Sequence, residues 1–177
     1  MASMTSRQEF VEEMRGTLDE AFNAWLAGKD GEPKIIGRAT VELVNVKTRE
    51  VTHREVQENL IVDAGRTNIQ KNIQNDSPVD PAAICTSSSA AAPAAGDTAV
   101  PATVLGGKTA TKSRPDNTTC RFAVTFSSSE STGTVASVAI ANTTGGATMF
   151  CRLVLASTVV KDSSSELNVQ YDLTITW

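Results

Sequence analysis

The run that closes the chain constrains its fold most. Leu167, Val169, Tyr171, Leu173, Ile175 and Trp177 alternate with Asn168, Gln170, Asp172, Thr174 and Thr176. Successive side chains of a strand point to opposite faces, so this spacing gives one apolar and one polar face. A half-buried strand follows, and a strand of this kind needs a sheet to belong to. The preceding stretch supplies candidates: Cys120 to Phe126, Thr134 to Ile140 and Met149 to Val160, separated by turn-rich segments at 127–133, 142–146 and 161–166. No helical pattern separates these runs, so the pattern predicts an antiparallel β-sandwich, jelly-roll-like, rather than a βαβ fold.

Upstream, Lys34 to Leu43 and Val44 to Val62 read as a hairpin turning at Lys47-Thr48-Arg49-Glu50. Ile69 and Ile73 then share a helical face, which predicts a short internal helix beginning near Asp63. Thr5 to Ala27 reads as an amphipathic helix with Phe10, Met14, Leu18, Phe22 and Trp25 on one stripe. Ser6 and Glu9 have the form of a capping box, and Gly28 is placed to end the helix. The polar segment after Gly28 marks residues 1–30 as a helical arm and 31–177 as the sandwich domain. Residues 76–115 are dominated by Ala, Ser, Thr, Pro and Gly, and the expected result is a long surface-lying excursion with one strand at Ala83 to Thr86.

The chemistry of catalysis is sparse. His53 is the single histidine among 177 residues, and no nucleophile elbow or oriented carboxylate accompanies it. The expectation is a solvated strand or turn residue and a chain that is not an enzyme. Glu42, Glu50, Glu55 and Glu58 are paired carboxylates only if the fold brings them together. Gly106-Gly107-Lys108-Thr109 has the end of a phosphate-binding loop, but Ala102 stands where the first glycine belongs and no helix pattern follows. No cofactor and no metal site is expected, since Cys85, Cys120 and Cys151 lack the spacing of zinc ligands. Small buried thiols are one reading of these cysteines. The other is an intermolecular disulfide, for which Cys85, in a small-residue loop, is the candidate.

The net charge of -4 opposes binding to nucleic acid or to an anionic membrane surface. No apolar run approaches the roughly 20 residues that span a bilayer, and the first residues lack the pattern of a secretory signal.

Four ordered blocks go further. They are Glu-Asn-Leu-Ile-Val-Asp-Ala-Gly-Arg-Thr-Asn-Ile (58–69), Ala-Pro-Ala-Ala-Gly-Asp-Thr-Ala-Val (92–100), the Phe-Ala-Val-Thr-Phe strand with Met-Phe-Cys-Arg-Leu, and Val-Lys-Asp-Ser-Ser-Ser-Glu-Leu-Asn-Val-Gln-Tyr-Asp-Leu-Thr-Ile. Together they resemble a family of tailed-bacteriophage virion proteins, over residues 58 to 177. The chain departs from that pattern at Cys85-Thr-Ser-Ser-Ser-Ala-Ala-Ala-Pro-Ala and in its N-terminal helix and hairpin. The resemblance implies a non-enzymatic structural subunit at the tail, baseplate or neck fibre. A capsid-decoration or head-fibre protein, or a module binding a host receptor or carbohydrate, is the alternative. It implies other virion proteins as partners, self-assembly, with a trimer expected by analogy, and a location in the virion after assembly in the host cytoplasm. Gly65 is expected to serve a tight strand-to-helix turn, Asp97 and Thr98 to cap a turn, and Trp177 to be buried. The stripe of Phe10, Met14, Leu18, Phe22 and Trp25 is the expected assembly surface.

Overall fold

A computed structural model of the chain describes residues 34–74, 76–101 and 104–176. The N-terminal helix with Phe10, Met14, Leu18, Phe22 and Trp25, and the position of Trp177, lie outside these residues. The described elements are β1 (Lys34–Asn45), β2 (Val51–Ile61), α1 (Asp63–Gln74), β3 (Ala83–Ser87), β4 (Val104–Thr109), β5 (Thr111–Ser113), β6 (Thr119–Phe126), β7 (Gly133–Ala141), β8 (Met149–Lys161) and β9 (Ser165–Thr176). The chain is thus mainly β, with one short helix among the described residues.

Hydrogen bonding orders the strands β4-β3-β7-β8-β2-β1-β9-β6-β5. This ribbon is folded into two antiparallel sheets, and β2 belongs to both. Eight of its first nine residues pair with β1, from Val44↔Val51 to Gly37↔Asn59 with a register shift between Leu43 and Val44, while its last two, Leu60 and Ile61, pair with Arg152 and Cys151 of β8. At the opposite margin, β4 pairs with β3 in one sheet and β5 with β6 in the other. Only Ala110 separates β4 from β5, and its amide donates to the Ala82 carbonyl at 2.8 Å. The outermost strands of the ribbon are therefore neighbours in sequence, and the sheets are linked through the chain at both margins.

The faces follow from register. Phe122, Val124 and Phe126 of β6 lie opposite Tyr171, Val169 and Leu167 of β9, and all six are buried. The alternate pairs, Arg121↔Asp172, Ala123↔Gln170 and Thr125↔Asn168, form the other face. The alternation in the closing run has this cause: Leu167, Val169 and Tyr171 turn inward and Asn168, Gln170 and Asp172 outward. Tyr171 is 0 % exposed, and its hydroxyl donates to the Val138 carbonyl of β7 at 2.6 Å. This bond crosses from one sheet to the other, and burial holds the phenol pKa well above its ordinary value.

Strand β7 is buried along Val135–Ala141, because the sheet it centres is covered on both sides. On the far side Val62, Cys85, Val100, Ala139, Ala141 and Met149 make a second, smaller apolar cluster. Three of these six are Ala or Cys, and such small side chains let the covering chain approach closely.

Two strands appear where a loop was expected. Gly106 and Gly107 fall within the expected excursion, but in β4 their missing side chains serve close packing. A Cβ at Gly107 would stand 2.0 Å from the Thr144 carbonyl oxygen, and one at Gly106 would stand 3.1 Å from Ser131 Cα. Glycine inside a strand often marks such an approach. The stretch that ends like a phosphate-binding loop is therefore a strand.

The bond between the sheets can be tested by Tyr171→Phe, which removes one hydroxyl and keeps the ring. Loss of one intramolecular hydrogen bond should cost about 1 kcal/mol, or roughly 2–4 °C in melting temperature at this chain length. An unchanged melt in calorimetry would show that the bond contributes nothing to the pairing of the sheets.

Candidate functional site

Three segments meet on the outer side of the sheet that contains β7: the start of α1, the first residues of β8 and the segment 88–101. Strand β2 runs into α1 through Val62, whose amide donates to the Phe150 carbonyl at 3.1 Å. The next amide, Asp63, donates to the Ala95 carbonyl at 2.8 Å. Two residues on, a Cβ at Gly65 would stand 2.2 Å from the Phe150 carbonyl oxygen. Gly65 has no left-handed backbone angle, so its purpose is closeness of helix to strand, not the tight turn expected from sequence.

The segment 88–101 is tied along its length. Met149 donates to the Thr98 carbonyl at 2.9 Å, and Val100 to the Gly146 carbonyl at 3.0 Å. Within it Asp97 closes its own turn: its amide donates to the Ala94 carbonyl at 3.1 Å, and its Oδ2 accepts from the Ala94 amide at 3.0 Å. The short side chain of Asp suits a turn that bonds to its own backbone.

Arg152 of β8 holds this segment from beneath. It is 2 % exposed, and its Nη2 donates to the Ala91 carbonyl at 2.5 Å and the Ser89 carbonyl at 3.3 Å. Nη1 lies 3.7 Å from Asp97 Oδ2. Burial pulls the guanidinium pKa down, and the nearby Asp97 carboxylate opposes that shift. A planar cation with several donors can satisfy two carbonyls and a carboxylate at once, which a Lys at this position could not do in the same plane. The segment, expected to be a surface-lying excursion, is fastened to the body, and Val100 fills the apolar cluster beneath it.

The residues singled out in sequence fall in separate places. His53 lies on β2, partly buried, with Nε2 3.5 Å from Glu55 Oε2. Glu55 also accepts from the Ala156 amide at 2.7 Å and from Gln57. It ties β2 to residues 155–158 of β8, which bulge out between the pairs Ser137↔Val154 and Val135↔Val159. Glu42 pairs with Arg54 at 3.1 Å, and Glu50 accepts from Thr48. These carboxylates meet cations, amides and hydroxyls, not one another. Among the described residues no group of three His, Cys, Asp or Glu side chains is placed to hold a metal ion.

The cysteines resolve differently from the expectation for Cys85. It sits in β3, 0 % exposed, with its Sγ 3.5 Å from the Thr143 and Thr144 carbonyl oxygens. Burial pushes its thiol up to about 11. An intermolecular disulfide at Cys85 would require the apolar cluster to open, so this assignment does not fit the fold. Cys151 is buried too, and burial pushes its thiol up to about 12. Cys120 is exposed.

No family model, curated protein or solved structure matches this chain. The functional reading therefore stands on the residues and their geometry.

Two outcomes follow. Arg152→Met keeps the stem and removes the donors, leaving the Ser89 and Ala91 carbonyls without their partner. A loss of about 1–3 kcal/mol is expected, with protease cleavage concentrated in 88–101; wild-type resistance there would show that the guanidinium does not hold the segment. In thiol labelling with Ellman's reagent at pH 8, Cys120 should react fast and Cys85 and Cys151 only on unfolding, because reactivity follows the exposed thiolate. Fast labelling of Cys85 in the native chain would contradict its burial.

Proposed function

We propose that this chain is a non-enzymatic structural subunit of a tailed-phage virion, a jelly-roll-like β-sandwich associated with the tail, baseplate or neck fibre. The observation that carries the reading is spatial. Blocks far apart in sequence, on which the resemblance to phage virion proteins rests, meet in the fold. Asn59 to Gly65, Ala94 to Val100 and Met149 to Arg152 contact one another through the Asp63–Ala95, Val62–Phe150 and Met149–Thr98 hydrogen bonds and the Arg152–Asp97 ion pair. A shared pattern in separated segments is explained when those segments build one piece of structure together.

The architecture suits such a role. Long exposed strand edges invite uncontrolled pairing, and here the outermost strands β4 and β5 are joined through Ala110 while β2 passes from sheet to sheet. Copies then meet through faces and segments whose shape is fixed, which limits assembly to defined contacts. In this reading the stripe of Phe10, Met14, Leu18, Phe22 and Trp25 docks with copies of the chain or with another virion protein. Five large apolar side chains on one helical stripe need a covering surface.

Light scattering on the full chain tests the reading. A discrete oligomer, a trimer by analogy with phage fibres, is expected, and Leu18→Glu with Phe22→Glu should reduce it to the monomer. A monomer at every concentration, unchanged by these substitutions, would count against a self-assembling subunit.

A further inference from the structure

The outward face of the sheet β2-β1-β9-β6-β5 holds a groove of about 560 Å³. Thr40 and Glu42 of β1, Arg54 of β2, Thr125 of β6 and Asn168 and Gln170 of β9 line it. Thr111 of β5 extends the same surface to the last strand. The volume falls within the roughly 300–1,000 Å³ of small-ligand sites.

Its chemistry is narrow. The two charged side chains in the lining, Arg54 and Glu42, neutralise one another at 3.1 Å. Just outside it, Arg121 and Asp172 form a two-pronged pair at 2.7 and 2.8 Å. Within the lining, a charged ligand therefore finds only charges that are already paired. The lining carries no aromatic ring and no aliphatic side chain larger than Val, so it also lacks the large apolar anchors that dominate protein interfaces. What remains is a set of hydroxyls and amides.

These groups are held in place. Thr125 donates from Oγ1 to Asn168 Oδ1 at 2.7 Å, which leaves the Asn168 amide hydrogens to donate elsewhere. Gln170 donates from Nε2 to Asp172 Oδ2 at 3.1 Å, which leaves its Oε1 to accept. Donor and acceptor thus alternate along β9, about 7 Å apart, with neighbouring strands about 4.8 Å away. That grid is on the scale of one sugar ring. Side chains fixed before binding lose little freedom on binding.

We propose that this groove binds a neutral oligosaccharide, recognised through its hydroxyls by Asn168, Gln170, Thr125 and Thr40. This binding role goes beyond assembly and does not depend on it. A hydroxyl both donates and accepts, so a sugar can meet the Asn168 donor and the Gln170 acceptor with adjacent groups.

The experiment is an array of neutral and acidic oligosaccharides probed with the full chain, followed by NMR titration with the strongest neutral binder. Binding of neutral sugars is expected, with shifts in the Asn168 and Gln170 side-chain amides. Asn168→Ala and Gln170→Ala should each weaken it about tenfold, as loss of one well-placed hydrogen bond does, while the single intramolecular hydrogen bond each removes lowers the melting temperature by no more than about 2–4 °C. Thr134→Ala, on the other sheet, should have no effect. The proposal is overturned by failure of every neutral sugar at millimolar concentration, by preference for acidic sugars, or by shifts confined to residues outside the groove. It is overturned as well if Gln170→Ala changes the solution mass of the chain, since the face would then be a protein contact. Solution mass and sugar binding are separate measurements, so loss of one leaves the other to be judged alone.

Discussion

The structure depends on the way its ribbon of strands is joined at both margins. Strand β2 gives the stretch from Val51 to Asn59 to one sheet and its last two residues to the other. Across the molecule, β4 and β5 continue through Ala110 from one sheet into the other. Opposed sheets otherwise present four strand edges, each with unpaired backbone groups that template aggregation. Passing strands between the sheets shelters those groups and fixes the register of one sheet against the other. The buried faces can then interlock, as Tyr171 does when it reaches the Val138 carbonyl.

A second layer is built on this frame. The outer side of the sheet with β7 carries Cys85, Ala139, Ala141 and Met149, and over these residues lie Val62 and Val100. Their contacts alone would not hold a segment as polar and small as 88–101. Backbone hydrogen bonds from Asp63, Met149 and Val100 and the buried guanidinium of Arg152 supply what its side chains lack. The segment is thereby a fixed surface of Ala, Pro and Gly, which is the kind of surface that can meet the same neighbour in every copy of an assembly.

Much of the β framework is legible in the sequence, because period-two alternation has a direct physical cause. Leu167, Val169 and Tyr171 turn inward as their spacing demands, and the internal helix begins at Asp63. What escapes is whatever depends on the absence of a side chain. Gly106 and Gly107 resemble the end of a phosphate-binding loop, and only the approach of Thr144 and Ser131 shows why they belong to a strand. Cys85 suffers from the same ambiguity, since its small-residue surroundings suit a loop or a packed sheet equally. Arg152 gives no signal at all, because a lone cation in an apolar strand states neither its burial nor its distant carbonyl partners. The outward groove is half legible: the polar alternation of Asn168 and Gln170 is plain in sequence, but their convergence with Thr40 and Arg54 requires the strand order.

The convergence of the separated blocks depends on segment 88–101 being part of the folded body. Native-state amide hydrogen exchange on the full chain measures this most directly. The amides of Asp63, Val100 and Met149 should be protected to nearly the level of the β7 interior, for each is bonded across the junction. Exchange of these amides at the rate of an unstructured chain, while β7 and β8 remain protected, would show that the segment is not fastened and that the blocks do not form one structure.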